Sequence, residues 1–371
     1  MEIDVVNEFM ALASLNSPSR QEGRVAGYLV GRLREMGMEA AVDDSAPRTG
    51  SDTGNVMVRV PGNAPGPTVL LCAHMDTIAS TEGMVPVLRD GVIYSNGATV
   101  LGADDKAGIA VILGVLANLK GGGISHPDLE VVFTVQEEVG LFGAKHLNAA
   151  LKAAFGYILD GDGPVGNIIN QTPSKVDLDL VLEGKAAHAG VRPEEGINAI
   201  VVAATAIARL RTGRIDRRTT SNVGRINGGR IRNMVADRAE VIMEVRSTDA
   251  ARLETEVQAI LDSFREAAAS AGAGLSVRKE IPFETFTVSE THPVVANALR
   301  AARTLGIEPR LWTSGGGMDA NVFNGRGLPC AALGIGIEDS HSPTEHIAVA
   351  QLEAGVKFIE ALLQETTAAA S

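Results

Sequence analysis

Short apolar runs alternate along the chain with longer segments in which apolar residues recur every three or four positions. Four apolar runs are predicted to be buried strands of a parallel sheet: 55–60, 68–74, 130–136 and 155–160. The segments between them predict helices at 105–119 and near 143–150. This alternation of strands and helices is typical of an α/β domain.

The first part of the chain predicts helices rather than strands. Residues 2–37 have the periodicity of two amphipathic helices, separated by Ser17-Pro18-Ser19. Ser19 precedes Glu22 by three residues, which is the spacing of a capping box. The sequence therefore predicts that Ser19 caps the second helix.

The pattern changes near residue 173. Beyond it, Val176, Leu178, Leu180 and Leu182 alternate with polar residues, as in a strand with one exposed face. The elements predicted next are a helix at 195–211, strands near 221–227 and 238–247, a helix from 250 to 270 and a strand at 274–281. The order β-α-β-β-α-β is that of a ferredoxin-like, split βαβ fold, which leaves an edge open for pairing. We therefore predict an inserted α+β domain over residues 174–283.

The α/β pattern resumes after residue 283. Its predicted elements are a helix at 293–305, strands near 310–313 and 328–334, and a helix at 349–365. The predicted fold class is therefore α/β, with a mostly parallel central sheet. Residues 1–173 and 284–371 form this domain, and the α+β domain interrupts it.

Composition narrows the classes of protein that this chain can represent. Its 371 residues are 45% hydrophobic, which is ample for two domains. A net charge of −12 without a basic stripe argues against nucleic acid as a partner. The longest apolar run, 107–119, is shorter than the roughly 18 residues that cross a bilayer. No charged leader with an apolar stretch opens the chain and two cysteines are too few for a disulfide framework, so we expect a cytoplasmic protein.

Polar residues follow apolar runs at several points, and together they could form one site. The segments are His74-Met75-Asp76, Asp104-Asp105, Glu137-Glu138, Asp160 and His341. Because ligands of open α/β sheets lie outside the carboxyl ends of the strands, we expect these side chains to converge on one edge. Two histidines with three or more carboxylates are the donor set of a two-metal hydrolase.

Each acidic pair also has a simpler interpretation. Asp105 is expected to cap the helix that follows, which leaves Asp104 to bridge two cations. Lys106 is expected on the helix surface or in a charge pair. Glu137 and Glu138 could form an exposed acidic turn. The functional interpretation is that a metal binds one of them and removes their repulsion, and that the other then acts as a general base.

Two alternatives remain open among the candidate ligands. Asp162 competes with Asp160, which is favoured because it directly ends a strand. His346 competes with His341, which is favoured because apolar residues follow His346 on the way to the last helix.

In this order, the segments resemble the co-catalytic dinuclear zinc peptidases, a family that includes peptidase T, carboxypeptidase G, aminoacylases and succinyl-diaminopimelate desuccinylase. The resemblance covers essentially the whole chain and is closest to the peptidase T-like members. The stretches that carry it are Ala73-His74-Met75-Asp76-Thr77, Gly102-Ala103-Asp104-Asp105-Lys106-Ala107-Gly108, Glu137-Glu138-Val139-Gly140, Leu159-Asp160 and Gly315-Gly316-Gly317-Met318-Asp319-Ala320-Asn321.

The resemblance implies two divalent metal ions, with Zn²⁺ expected and Co²⁺ or Mn²⁺ fitting similar ligands. The implied ligands of one ion are His74, Asp104 and Asp160, and those of the other are Asp104, Glu138 and His341. Asp104 would bridge the two ions, with a water between them and a cis peptide bond after the residue. Asp76 is implied to orient His74, and Glu137 to be the general base that activates the bridging water.

Four substrate contacts are implied as well: His188, Asn233, Arg246 and Gly316. His188 lies in Gly184-Lys185-Ala186-Ala187-His188-Ala189-Gly190 and would help to stabilise the oxyanion. In relatives the equivalent histidine often reaches the active site of the partner subunit. We therefore expect a homodimer that forms through the inserted domain. The resemblance also implies that this domain is a lid.

The predicted function is hydrolysis of short peptides, with removal of the N-terminal residue of tripeptides. The alternative is a dinuclear zinc carboxypeptidase or an N-acyl amino acid deacylase, in which Arg246 would bind a substrate carboxylate. A metal-free binding protein would have no need of Glu137 as a base. A nucleotide-binding protein would need a phosphate-binding motif, and the glycines at 315–317 lack the lysine that ends a P-loop.

Overall fold

The computed structural model of the protein describes residues 4–368; residues 1–3 and 369–371, which the predicted first domain includes, lie outside the described part. The described residues form two compact units. The first contains residues 4–171, 287–314 and 318–368. The second contains Thr172–Phe286 and Gly315–Gly317, so the predicted insertion at 174–283 falls within its longer segment.

Helices and strands alternate through the beginning of the first unit. The elements before residue 173 are α1 (Val5–Ala13), α2 (Gly23–Glu35), β1 (Ala40–Val42), α3 (Ala46–Thr49), β2 (Val56–Val60), β3 (Val69–His74), β4 (Val87–Arg89), β5 (Val92–Tyr94), α4 (Ala103–Leu119), β6 (Leu129–Thr134), α5 (Phe142–His146), β7 (Phe155–Gly161) and β8 (Asn167–Thr172). The four predicted apolar strands and the helix at 105–119 are confirmed. The capping box is wrong, because α2 begins at Gly23 and neither Ser19 nor Glu22 caps it through its side chain.

The second unit is an antiparallel sheet with helices on one face. Its elements are β9 (Ser174–Glu183), α6 (Ala199–Ala208), β10 (Gly213–Arg214), β11 (Thr219–Gly228), β12 (Arg238–Ser247), α7 (Ala250–Ala271) and β13 (Gly274–Phe283), with a short 3₁₀ turn at Pro193–Glu195. The strand order is β10-β11-β12-β9-β13. Every second residue of β9 is buried in one core with residues of α6 and α7. The predicted split βαβ fold is therefore confirmed.

The chain then completes the first unit. The remaining elements are β14 (Phe286–Thr287), α8 (Pro293–Thr304), β15 (Arg310–Thr313), α9 (Asp319–Gly325), β16 (Cys330–Gly334), β17 (Ile337–Glu338), β18 (His346–Ala348) and α10 (Val349–Ala368). Strands β17, β18, β5 and β4 pair in that order as a small antiparallel sheet. The loop between β17 and β18 carries His341.

The main sheet of the first unit has the order β1-β2-β6-β3-β7-β16-β8-β14, with β15 paired to β8. Its central strands β6, β3, β7 and β16 are parallel. Register places His74 opposite Thr134, and Cys72 opposite Ile158. His74 and Asp160 each lie two residues beyond that last pair, so they leave the sheet at the same level and on the same side.

Burial on both faces anchors these central strands. Every residue of β3 and β6 is buried. Helix α4 packs against β3 and is itself covered by α1 and α10, which explains why it is apolar on all sides. Each fully buried leucine, valine or isoleucine contributes about 1.5–3 kcal/mol. The carboxyl ends of the strands are therefore rigid supports for polar side chains.

No helix within residues 4–368 is both long and apolar enough to cross a membrane.

Candidate metal centre

The polar residues at the carboxyl ends of the central strands converge in the first unit. His74 ends β3, Asp160 lies near the end of β7, and Glu137 and Glu138 follow β6 by three and four residues. Asp104 lies at the beginning of α4, where its backbone is not yet helical. The carboxyl ends of parallel strands thus position His74, Asp160 and the Glu pair, and the beginning of α4 positions Asp104.

One group of possible ligands consists of His74, Asp104 and Asp160. The Nε2 atom of His74 lies 3.0 Å from Oδ1 of Asp104 and 3.8 Å from Oδ1 of Asp160. One ligand atom from each residue lies within 4.8 Å of the others. This spacing could hold one cation.

A second group shares Asp104 with the first. The Nε2 atom of His341 lies 3.1 Å from Oδ2 of Asp104 and 3.2 Å from Oε2 of Glu138. These three residues also meet the distance requirement for a metal site. Since Oδ1 of Asp104 faces His74 and Oδ2 faces His341, this carboxylate has the geometry of a bridge between two cations.

The charges of these residues fit two divalent ions. Among the residues that the structure describes, the ion pairs of Asp104, Asp160 and Glu138 involve only the two imidazoles. Oε1 of Glu138 is buried and has no hydrogen-bond partner among residues 4–368. A buried carboxylate oxygen without a partner is costly, and a cation would satisfy it. The mixed imidazole and carboxylate donors suit Zn²⁺, Co²⁺ or Mn²⁺.

The carboxylates around the two imidazoles raise the pKa of both. Hydrogen bonds to Asp104 and Glu138 raise the pKa of His341 to about 10. Burial lowers the pKa of His74, but hydrogen bonds to Asp104 and Asp76 outweigh it and raise that pKa well above its usual value. Burial raises the pKa of Asp160 and, to a smaller extent, that of Glu138. Because a metal binds deprotonated ligands, binding must release protons from this group.

Asp76 connects the imidazole of His74 to the turn that carries Glu137. The main-chain oxygen of Asp76 lies 3.0 Å from Nδ1 of His74, and its Oδ1 lies 3.4 Å from the same atom. The carboxylate also accepts hydrogen bonds from the N–H groups of Glu137 at 2.9 Å and Glu138 at 3.3 Å. The implied contact with His74 is thus made more closely by the backbone of Asp76 than by its side chain.

The two acids at 104 and 105 have different structural roles. The peptide bond between them is cis, as the resemblance implies. Oδ1 of Asp105 accepts the N–H of Gly108 at 3.1 Å, which confirms its capping role, and Oδ2 accepts the N–H of His74 at 3.1 Å. A Cβ atom on Gly108 would lie 2.5 Å from the main-chain oxygen of Leu159, so only glycine fits there.

Two buried residues near Asp104 in sequence or space have contacts that were not identified from the sequence. Glu345 is 1% exposed and accepts the N–H groups of Gly102 at 2.8 Å and Asp104 at 3.0 Å. Lys106 does not lie on the helix surface; it is fully buried, and its Nζ donates to the main-chain oxygen of Leu15 at 2.5 Å. Burial lowers the pKa of Lys106 to about 7. Neither role follows from local periodicity, because both depend on loops that are distant in sequence.

The structure separates the favoured ligands from their competitors. Asp162 accepts a hydrogen bond from the hydroxyl group of Ser314 at 2.8 Å and belongs to neither group. His346 stacks on Tyr94 with ring centroids 5.2 Å apart and lies 3.4 Å from Glu338. The geometry therefore favours Asp160 and His341.

The four implied substrate contacts all lie in the second unit. His188 and Asn233 are exposed in neighbouring loops, where the main-chain oxygen of Asn233 accepts the N–H of Ala189 at 3.0 Å. Arg246 donates to Glu244 through Nε at 3.0 Å and Nη2 at 3.1 Å, and to the main-chain oxygen of Gly315 through Nη1 at 3.0 Å. Arg246 is thus brought together with the glycine turn that includes Gly316. Their roles toward a substrate stay predictions.

Comparison with known proteins gives consistent matches along the chain. The model of peptidase family M20/M25/M40 matches residues 70–365. The Bacillus subtilis protein YqjE is 37% identical over 97% of this chain and 98% of its own. The crystal structure of an aminopeptidase PepT from Bacillus cereus is 37% identical and has a TM-score of 0.90, with 98% of both chains covered. That of a tripeptidase from Staphylococcus aureus is 34% identical and has a TM-score of 0.95, again with 98% of both chains covered.

Proposed function

The chain belongs to peptidase family M20/M25/M40, and we propose that it is a dinuclear metal-dependent aminopeptidase that removes the N-terminal residue of tripeptides. The observation that carries the proposal is the pair of ligand groups that share Asp104 and lie next to Glu137. The similarity to structures described as an aminopeptidase and a tripeptidase supports the choice of substrate.

The residues at this site would hold two cations through His74, Asp104 and Asp160 on one side and Asp104, Glu138 and His341 on the other. When bound, such ions polarise a carbonyl group and lower the pKa of a water molecule. Zn²⁺ is the proposed metal, and Co²⁺ or Mn²⁺ would fit the same donors.

Glu137 is proposed as the general base. It lies beside the ligand groups, and no salt bridge of the described part of the chain involves it. Burial raises its pKa, which favours a group that takes a proton from the attacking water and returns it to the leaving amine. Its N–H is held by Asp76, so the base has a fixed position relative to His74.

The second unit is proposed to supply the remaining contacts. His188 would donate a hydrogen bond to the oxyanion, with Asn233 and Gly316 contacting the peptide. Arg246 is already paired in bidentate geometry with Glu244, so much of its charge is compensated. This pairing weakens the alternative of a carboxypeptidase or a deacylase, in which Arg246 would bind a substrate carboxylate.

A homodimer through the second unit is part of the proposal. The exposed apolar side chains of this unit include Val191 at 68%, Val201 at 58%, Ile226 at 48% and Ile231 at 63%. Within the described residues, β10 pairs with β11 only at Thr220 and Ser221, which leaves the stretch from Asn222 to Gly228 open on that side. An open edge with exposed apolar residues supports pairing with a second copy. Sedimentation of a fully active monomer would exclude this part.

The substrate assignment can be tested with chemically blocked peptides. The purified protein is assayed on a free tripeptide, its N-acetylated form and its C-amidated form, before and after chelation and with Zn²⁺, Co²⁺ or Mn²⁺ added back. The proposal predicts metal-dependent cleavage that survives C-amidation and is lost on N-acetylation. Cleavage of only the N-acetylated peptides would move the assignment to the deacylase or carboxypeptidase. The cytoplasmic location stays a prediction from the sequence.

A further inference from the structure

Three consecutive backbone N–H groups in the turn after β6 donate to buried carboxylates. Those of Glu137 and Glu138 donate to Asp76. The preceding N–H, that of Gln136, donates to Oε1 of Glu22 at 3.1 Å. The turn that carries the proposed general base is therefore held from both sides, by Asp76 after β3 and by Glu22 from the N-terminal part of the chain.

Glu22 is fully buried, and no cationic side chain of the described part of the chain pairs with it. Its Oε1 also accepts the N–H of Arg20 at 2.9 Å, and its Oε2 accepts the hydroxyl group of Ser51. None of the salt bridges found in residues 4–368 involves Glu22. A buried acid held only by neutral donors is costly for stability, and an apolar residue would avoid that cost. A glutamate at position 22 is therefore explained better by its hydrogen bond to the turn than by a contribution to stability.

Gln136, the residue that Glu22 holds, has an unusual backbone conformation. Its φ angle is +51°, in the left-handed region that residues other than glycine disfavour. Its side chain donates through Nε2 to the main-chain oxygen of Thr49 at 2.9 Å. Because Gln136 directly precedes Glu137, its torsion angles set the direction in which the base leaves the strand. Such a conformation persists only where its surroundings fix it.

We infer that Glu22 is a positioning residue for Glu137, which acts by fixing the left-handed conformation of Gln136 through a hydrogen bond to its N–H. The inference rests on the proposed role of Glu137 as general base. Glu22 lies outside residues 70–365, the part of the chain that the family model matches, so that match assigns it no role. The length of the Glu22 side chain, rather than its charge, carries the effect.

Three variants separate length from charge. Glu22→Asp keeps the charge but shortens the reach to Gln136, and Glu22→Ala removes both. Each is expected to lower kcat about 10- to 100-fold, because a displacement of about 1 Å at a catalytic group costs up to about 10²-fold. The KM for the tripeptide should change less than about three-fold, because Glu22 contacts the turn and not the peptide. Glu22→Gln keeps an acceptor oxygen of the same reach and should retain kcat within about three-fold.

A buried glutamate elsewhere provides the matched control. Glu8 is 4% exposed and accepts hydrogen bonds from Tyr28 at 2.8 Å and from Nε of Arg32 at 3.1 Å. Glu8→Ala should lower the free energy of unfolding but leave kcat of the folded enzyme unchanged. If Glu8→Ala lowers kcat as much as Glu22→Ala does, the effect is one of general stability and the inference is overturned.

Combination with Glu137→Ala distinguishes this inference from the proposed function. If Glu22 acts only through Glu137, the double variant Glu22→Asp/Glu137→Ala should be no slower than Glu137→Ala alone. Full activity of Glu137→Ala would overturn the proposed function itself. Two results would overturn the positioning role alone. In the first, Glu137→Ala is slow but Glu22→Asp is fully active. In the second, Glu22→Gln is slow but Glu22→Asp is not.

Discussion

Carboxylates have different partners in the two units of this protein. On the sheet of the second unit, acidic side chains pair with cationic ones: Glu244 with Arg246 at 3.0 Å, Asp177 with Lys175 at 3.1 Å, and Glu240 with Arg238 at 2.9 Å. At the edge of the first unit, Asp104, Asp160 and Glu138 face only two histidines within the described chain. The negative charge of the first group of acids is balanced by cationic side chains of the protein. That of the second group requires bound cations.

The partners of an acidic side chain therefore indicate a functional role better than the number of acidic residues does. Exposed ion pairs such as Glu240 with Arg238 contribute little to stability, about 0–1 kcal/mol. Buried acids that lie near one another without arginine or lysine are unfavourable unless cations bind. Four experiments test this contrast.

The largest effect is expected when the shared ligand is removed. Asp104→Ala should lose both metal ions and reduce hydrolysis by more than about 10⁴-fold, because the proposed cations and the base-activated water are lost together. Metal content after dialysis, measured by mass spectrometry, checks the first part. Asp162→Ala removes a nearby carboxylate that binds Ser314, and it should keep both ions. Retention of two ions by Asp104→Ala would show that Asp104 is not the bridge.

Removal of the base should lower activity without removing metal. Glu137→Ala is expected to reduce kcat about 10²- to 10⁴-fold, the usual contribution of a general base. Metal content should stay at that of the unmodified protein, because Glu137 belongs to neither ligand group. A matching loss of metal would identify Glu137 as a ligand instead.

Metal affinity should fall as the pH is lowered. The pKa of His341 in the metal-free protein is about 10, so this imidazole is protonated at pH 7 and must lose its proton to bind a cation. Each displaced proton changes the affinity about ten-fold per pH unit below that pKa. Calorimetry in buffers with different ionisation enthalpies should therefore detect proton release on binding. Binding without proton release would mean that His341 is not a ligand.

The smallest effect is expected in the second unit. Glu240→Ala breaks an exposed pair with Arg238 and should change the free energy of unfolding by less than about 1 kcal/mol. Hydrolysis and metal content should be unaffected. A large loss of either in Glu240→Ala would remove the contrast between the two kinds of acid.

The sequence predicts the site because the parallel sheet makes its geometry simple. An apolar run that ends in a polar residue places that residue at the carboxyl edge, and His74, Glu137 and Asp160 were identified in this way. The alternation of Val176, Leu178 and Leu180 likewise sufficed to predict the half-exposed strand β9. In these cases local periodicity and tertiary structure favour the same outcome.

Predictions from the sequence are wrong where contacts with residues distant in sequence override a local pattern. Ser19 and Glu22 have the spacing of a capping box, yet Ser19 donates to Asp76 at 2.7 Å and Glu22 accepts the N–H of Gln136. Lys106 is buried although lysine usually lies at the surface. The short strands β4, β5, β17 and β18 have only two or three residues each, too few for periodicity to appear. Most of these exceptions occur beside the site.

The most direct test of the account is hydrolysis measured as a function of bound metal. The metal-free protein is titrated with Zn²⁺ while bound metal and tripeptide cleavage are followed in the same samples, with Asp104→Ala in parallel. The account predicts that activity rises to its maximum at two ions per chain and that Asp104→Ala neither binds the pair nor cleaves the peptide. Full cleavage by metal-free protein, or undiminished cleavage by Asp104→Ala, would contradict it.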